Sequence, residues 1–188
     1  MGEAAKGPAG RYRGGVAIAD GAFSILAGDG SRADGHKIYG AGMLAAGTLV
    51  LRVAAAGDPE PSQLTVEIWG QEPPLAELDQ WDAAAELIFD SDEPASIDRS
   101  MYEASPEERA DLDTFVLPPG VYRVRAYGRA QGDVAVPKTE YDLDYDPDDP
   151  DVDPNKYPEQ HLLQLWIDTT EHDDEALVLK GDPRYIAY

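Results

Sequence analysis

From Tyr122 to Arg129 the chain alternates: Tyr122, Val124, Ala126 and Gly128 point one way, and Arg123, Arg125, Tyr127 and Arg129 point the other. This is the period of a strand with one face in a core and the other in water. Just before it, Leu117-Pro118-Pro119-Gly120 supplies two prolines of fixed φ and a glycine free to adopt φ > 0. The pattern predicts a chain reversal there, and a pair of antiparallel strands over 112–129. Other short runs have the same character. Leu64 to Gly70 alternates Leu64, Val66 and Ile68 against Thr65, Glu67 and Trp69, and Thr48 to Ala54 is apolar with β-branched Thr48, Val50 and Val53. A hairpin between these two runs is the simplest connection.

Val16 to Ala27 reads as a strand pair or one bulged strand, with Gly21 where the register changes. Lys37 to Gly47, rich in Ala and Gly, fits neither period. Leu75 to Gln80 suits one helical turn, and Asp82 to Phe89 a strand. Ser105-Pro106-Glu107-Glu108 has the cap, N1 proline and acidic positions of a helix start. His161 to Ile167 is apolar on both parities, as a central strand covered on both faces would be, and Ala176 to Lys180 makes a last strand. About nine short strands between frequent breakers predict an antiparallel β-sandwich, with a closed barrel as the alternative topology. Residues 1–14 read as a flexible lead, and 15–188 as one domain carrying an acidic, proline-rich loop at 140–158. The length of 188 residues suits a single domain.

Charge changes the picture most. Fifteen Lys and Arg stand against 37 Asp and Glu, a formal net charge of −22. Residues 1–55 hold six basic and four acidic residues, so the excess lies in the remainder. Such a field repels nucleic acid and anionic membranes and draws in basic proteins. The alternative is that acidity serves only solubility. There are no cysteines, which removes disulfides and thiolate chemistry. No apolar run approaches the roughly 20 residues of a membrane span, and the opening residues lack a secretory signal's apolar stretch, so the expected location is the cytoplasm.

Acidity peaks in Glu140 to Asp153, EYDLDYDPDDPDVD, where eight of fourteen residues are acidic. Asp142, Asp144 and Asp146 occupy the first three ligand positions of an EF-hand loop and Asp153 the twelfth, but Pro147 stands where the loop needs glycine. A calcium site of another kind is one reading, and a solvated loop is another. In a third, Asp142, Asp144, Asp146, Asp148, Asp149 and Asp151 stand in for phosphates before the basic cleft of a partner protein. His36, His161 and His172 show no metal-ligand spacing, and no serine lies in a Gly-x-Ser-x-Gly elbow, so no catalytic residue is assigned. Arg123, Arg125 and Arg129 on one strand face are expected to neutralise acids across the sheet; an anion or partner contact is the other role open to them.

At LDTFVLPPGVYRVRAYGR, with GVAIADGAFSIL and GTLVLRV, the chain resembles the small acidic inhibitors of the competence-associated DNA-entry nuclease. It is also similar to actinobacterial proteins sharing a Leu-Pro-x-Gly-x-Tyr hairpin and a late run like Leu162 to Trp166. The likeness covers about residues 15–130, and the acidic segment lies outside it. No functional residue of that family maps onto a position here. The resemblance implies a non-enzymatic protein, without a cofactor, that binds and silences a nuclease or a similar basic toxin.

Overall fold

The computed structural model describes residues 7–16, 18, 21–28, 39–47, 49–56, 62–98, 110–130, 159–169 and 176–187. Among these, eleven strands form two sheets. The first is ordered β1 (Gly10–Val16), β6 (Ser62–Trp69), β10 (Glu159–Ile167), β9 (Gly120–Ala130), β7 (Ala83–Ser91) and β11 (Leu177–Lys180). The second is ordered β3 (Tyr39–Ala41), β4 (Leu44–Ala46), β5 (Val50–Ala54), β2 (Ala22–Ala27) and β8 (Ala95–Ile97). Pairing is antiparallel except between β6 and β10.

The protein is a β-sandwich, and its core is built from one parity of each strand. Leu64 and Val66, Leu163 and Leu165, Tyr122, Val124 and Ala126, and Leu87 and Phe89 project from the six-stranded sheet. Phe23, Ile25, Leu44, Leu51, Val53 and Ile97 meet them from the other. Each such side chain, fully buried, contributes about 1.5–3 kcal/mol of hydrophobic stabilisation, enough to fix which parity faces inward.

Several connections differ from those expected. Residues 112–117 do not form the first arm of a hairpin. They hold the end of a 3-10 turn, Ala110–Thr114, and a single bridge from Leu117 to Ala95 of β8. Because β8 and β9 lie in opposite sheets, the Pro118-Pro119 bend carries the chain between layers. Tyr122 fastens that bend by donating its hydroxyl proton to the Pro118 carbonyl at 2.9 Å. Likewise β5 and β6 belong to different sheets, so no hairpin joins them.

Gly21, at φ +68°, marks the passage from β1 in one sheet to β2 in the other, rather than a bulge within one strand. The ambiguous run 37–47 contains the β3–β4 hairpin, whose turn holds Gly42 at φ +54°. The expected flexible lead is ordered from Gly10, where β1 pairs with β6 over seven residues. The Ser105 helix start lies outside the described residues. No helix among the described residues is long and apolar enough to cross a membrane.

Candidate functional site

β6 and β7 occupy the second and fifth places in the six-stranded sheet. The chain joining them passes over the outer face of β9, and that face is covered where the alternation predicted water. Arg125 Nη1 donates to the Pro73 carbonyl at 3.2 Å, the Ala76 N–H donates to the Tyr127 hydroxyl at 3.1 Å, and the Trp81 and Tyr127 rings lie 5.4 Å apart. Arg125 and Tyr127 are consequently buried. The strap's one helical turn, Leu78–Gln80, is held by Lys180 of β11, whose ammonium donates to the carbonyls of Leu78 and Trp81.

Beneath the strap, register aligns a charged row across five strands: Arg11, Glu67, Gln164, Arg125 and Glu86. Neighbours along it pair by sign. Arg11 Nε donates to Glu67 at 3.0 Å, Gln164 donates to Glu67 at 3.1 Å, and Arg125 Nε donates to Glu86 at 2.7 Å. Arg125 also meets Glu72 at 2.9 Å and stacks over Trp166 at 4.9 Å. Burial opposes ionisation of Glu67, yet the hydrogen bonds from Arg11, Gln164 and Trp69 outweigh it and hold the carboxyl below its ordinary value. Arg123 bridges Glu86 at 3.1 Å and Asp168 at 2.9 Å. Two of the three arginines of β9 thus neutralise acids, as expected.

Arg129 does not. Its guanidinium donates to the neutral Gln160 Oε1, with Nε at 3.0 Å, and sits 5.2 Å over the Trp81 ring. Gln160 pairs with Gln63 of β6, and Gln63 Oε1 accepts from Arg13 Nη2 at 2.7 Å. The result is a second row, Arg13, Gln63, Gln160 and Arg129. Neither arginine has a carboxylate partner among the described residues. Three of the row's members, Arg13, Gln63 and Gln160, line a cleft of about 280 Å3 together with Arg11, Thr65, Trp81 and Leu162. The Glu67 carboxylate, paired with Arg11, also lines it.

On the inner face at the same end of the sheet, four polar groups are buried: Ser62, Glu159, His161 and Tyr185. Glu159 Oε1 accepts the Ala56 N–H at 2.8 Å and lies 3.3 Å from His161 Nε2. The His161 ring packs edge-on against Phe23 at 5.1 Å. Burial first, and the nearby Glu159 charge second, push the Tyr185 phenol far above its ordinary value. His161 is therefore a core residue. No group of three or more His, Cys, Asp or Glu suited to a metal occurs among the described residues.

The residues proposed from sequence for a partner or for calcium, Asp142, Asp144, Asp146, Asp148, Asp149, Asp151 and Asp153, lie outside the described residues, as do His36 and His172. The described residues hold fifteen acidic and eight basic side chains, so most of the net −22 belongs to the rest of the chain. The Arg13–Gln63–Gln160–Arg129 row went unseen in the sequence because no local spacing joins its members; the one available signal was the polar parity Gln160, Gln164 on β10. No family model, curated protein or solved structure matches the chain.

Proposed function

We propose that the protein is a non-enzymatic acidic binding protein of the cytoplasm, an inhibitor or immunity-type protein that neutralises a basic partner such as a nuclease or toxin. Asp142, Asp144, Asp146, Asp148, Asp149 and Asp151 are its contact residues. The observation that carries this reading is where the acidic segment is rooted. It connects β9 to β10, the two middle strands of the six-stranded sheet, and Ala130 and Glu159 at its two ends are paired in register. Binding loops are characteristically carried in this way by a rigid scaffold. Nine acidic residues against two lysines in 131–158 supply the field that attracts a cationic surface and speeds its encounter. The resemblance to nuclease inhibitors suggests a DNA-hydrolysing partner.

The test compares immobilised wild-type protein with a variant in which those six aspartates are asparagine, each loaded with extract of the native host. The reading expects a basic protein retained by the wild type alone, whose DNA hydrolysis stops when soluble wild-type protein is added back. Equal retention on both columns, or a retained protein whose activity is untouched, contradicts it.

A further inference from the structure

At the end of the six-stranded sheet where β6 and β10 begin, the inner face is polar. In the parallel register Gln160 stands beside Gln63, so Glu159 and Ser62, one residue earlier on each strand, are cross-strand neighbours on the opposite, inward face. His161, two residues further along β10, shares that face, with Nε2 3.3 Å from Glu159 Oε1. The Tyr185 ring lies edge-on to the His161 ring with centroids 6.3 Å apart, and Phe23 of the other sheet covers His161 at 5.1 Å. The His161 and Glu159 side chains are 0% and 1% exposed, so bulk solvent does not reach them.

Hydrogen bonding within this group is incomplete. Ser62 Oγ, Glu159 Oε2, both ring nitrogens of His161 and the Tyr185 hydroxyl are buried without a hydrogen-bond partner among the described residues. Glu159 receives one bond, from the Ala56 N–H to Oε1 at 2.8 Å. In native structures the large majority of buried side-chain polar atoms are paired, with protein or with ordered water. Strand register fixes Ser62 and Glu159, and the Tyr185 ring rests over Gly128, so direct bonds between these groups would require the backbone or the ring to shift.

The chemistry of the missing partner is constrained. It must donate to a carboxylate oxygen, Glu159 Oε2, and accept from a hydroxyl or from a ring N–H, which a metal ion does not do. A third His, Cys, Asp or Glu ligand for a cation is also lacking among the described residues. The smallest molecule that both donates and accepts is water. We propose that Ser62, Glu159, His161 and Tyr185 together bind an internal water molecule, which donates to Glu159 Oε2 and accepts from at least one of the other three side chains. Such waters typically make about three hydrogen bonds to buried polar groups and are part of the structure. This one joins β6, β10 and the C-terminal residues where β10 enters the sheet, and it does not depend on the partner proposed for the acidic segment.

The experiment is a crystal structure of the full chain at a resolution that shows ordered water, paired with magnetic relaxation dispersion of the water oxygen in solution, which counts long-lived bound waters. The proposal expects density for a water within hydrogen-bond distance of Glu159 Oε2 and of at least one of Ser62, His161 and Tyr185. It also expects the count of long-lived waters to fall by at least one in Glu159→Leu, whose side chain offers no acceptor. Direct bonds to Glu159 Oε2 from the other three side chains, with no density among them, overturn the proposal. A peak with the short coordination distances of a metal ion overturns it too, as does an equal count in wild type and folded variant. Because the density is read on the wild-type protein, it decides the matter even where the variant fails to fold.

Discussion

Tyr185 occupies the space left by the missing side chain of Gly128. A Cβ at position 128 would lie 2.6 Å from Tyr185 Cε1 and 3.1 Å from Met43 Cε. Gly128 faces inward from β9 opposite His161, and the C-terminal residues bring Tyr185 over it, with the Ala187 N–H donating to the Gly42 carbonyl at 3.0 Å. Tyr185 and Ala187 thereby link β9 of one sheet to the β3–β4 turn of the other. Gly128→Ala should cost about 1–3 kcal/mol through overpacking. Tyr185→Ala, which opens a cavity, should cost about 3–5 kcal/mol. Urea denaturation checks both, and an unchanged midpoint for Gly128→Ala would mean that the ring does not rest there.

The Tyr185 phenol also sets a behaviour at high pH. Its folded pKa is raised above 10.0, by burial first and by the Glu159 charge second. The stability this group contributes is fully present below the unfolded value and is lost as pH rises towards the folded one, because only the unfolded chain readily ionises it. The difference in unfolding free energy between wild type and Tyr185→Phe should be flat up to about pH 9 and should move in favour of the phenylalanine variant above about pH 10. A difference that stays constant to pH 11 would show the phenol to be free to ionise in the fold.

Arg125 and Glu86 are both buried and linked at 2.7 Å, and removing one leaves the other a single ionic partner, Arg123 for Glu86 or Glu72 for Arg125. Arg125→Leu should destabilise by about 1–3 kcal/mol, because Glu86 and the Pro73 carbonyl each lose a donor while Arg123 still meets Glu86. Glu86→Leu should also destabilise, since Arg123 loses the same partner. The double variant should cost less than the sum by about 0.5–3 kcal/mol. A thermodynamic cycle measured by denaturation decides this, and simple additivity would mean that the two groups do not interact.

Glu67 governs the acid side. Its folded pKa is lowered below 4.5 despite burial, because Arg11, Gln164 and Trp69 donate to the carboxylate. The resulting stability is present above the unfolded value and is lost as pH falls through the folded one. The advantage of wild type over Glu67→Gln should therefore hold at neutral pH and shrink below about pH 4.5. An advantage that grows on acidification would contradict the hydrogen-bonding found at Glu67.

Much of the sandwich was legible one strand at a time. The alternation in β9, the double-sided apolar run of β10, and the role of Arg123 and Arg125 in neutralising acids all follow from parity and charge. The partner of each strand was not legible. Neighbouring runs such as β5 and β6 look like hairpin arms, but in a sandwich the chain repeatedly passes between layers, and burial of both inner faces overrides proximity in sequence. β1 was missed because Gly14 and Gly15 weaken its local strand signal, and its order comes from pairing with β6 about fifty residues away. The amide and arginine row was invisible for a related reason: Gln63 and Gln160 meet only through the parallel pairing of β6 and β10, which nothing in either segment announces.

Concentrated negative charge on the segment between β9 and β10 is proposed to dock a basic protein, and salt reaches that charge without touching the core. The deciding quantity is the dissociation constant of the purified complex across a series of salt concentrations. Affinity should fall steeply between about 0.05 and 0.5 M salt, where the screening length drops from about 14 to about 4 Å, with a much flatter dependence for the six-asparagine variant. A complex whose affinity is the same across that range, with wild type and variant alike, would show that the aspartates do not make the contact.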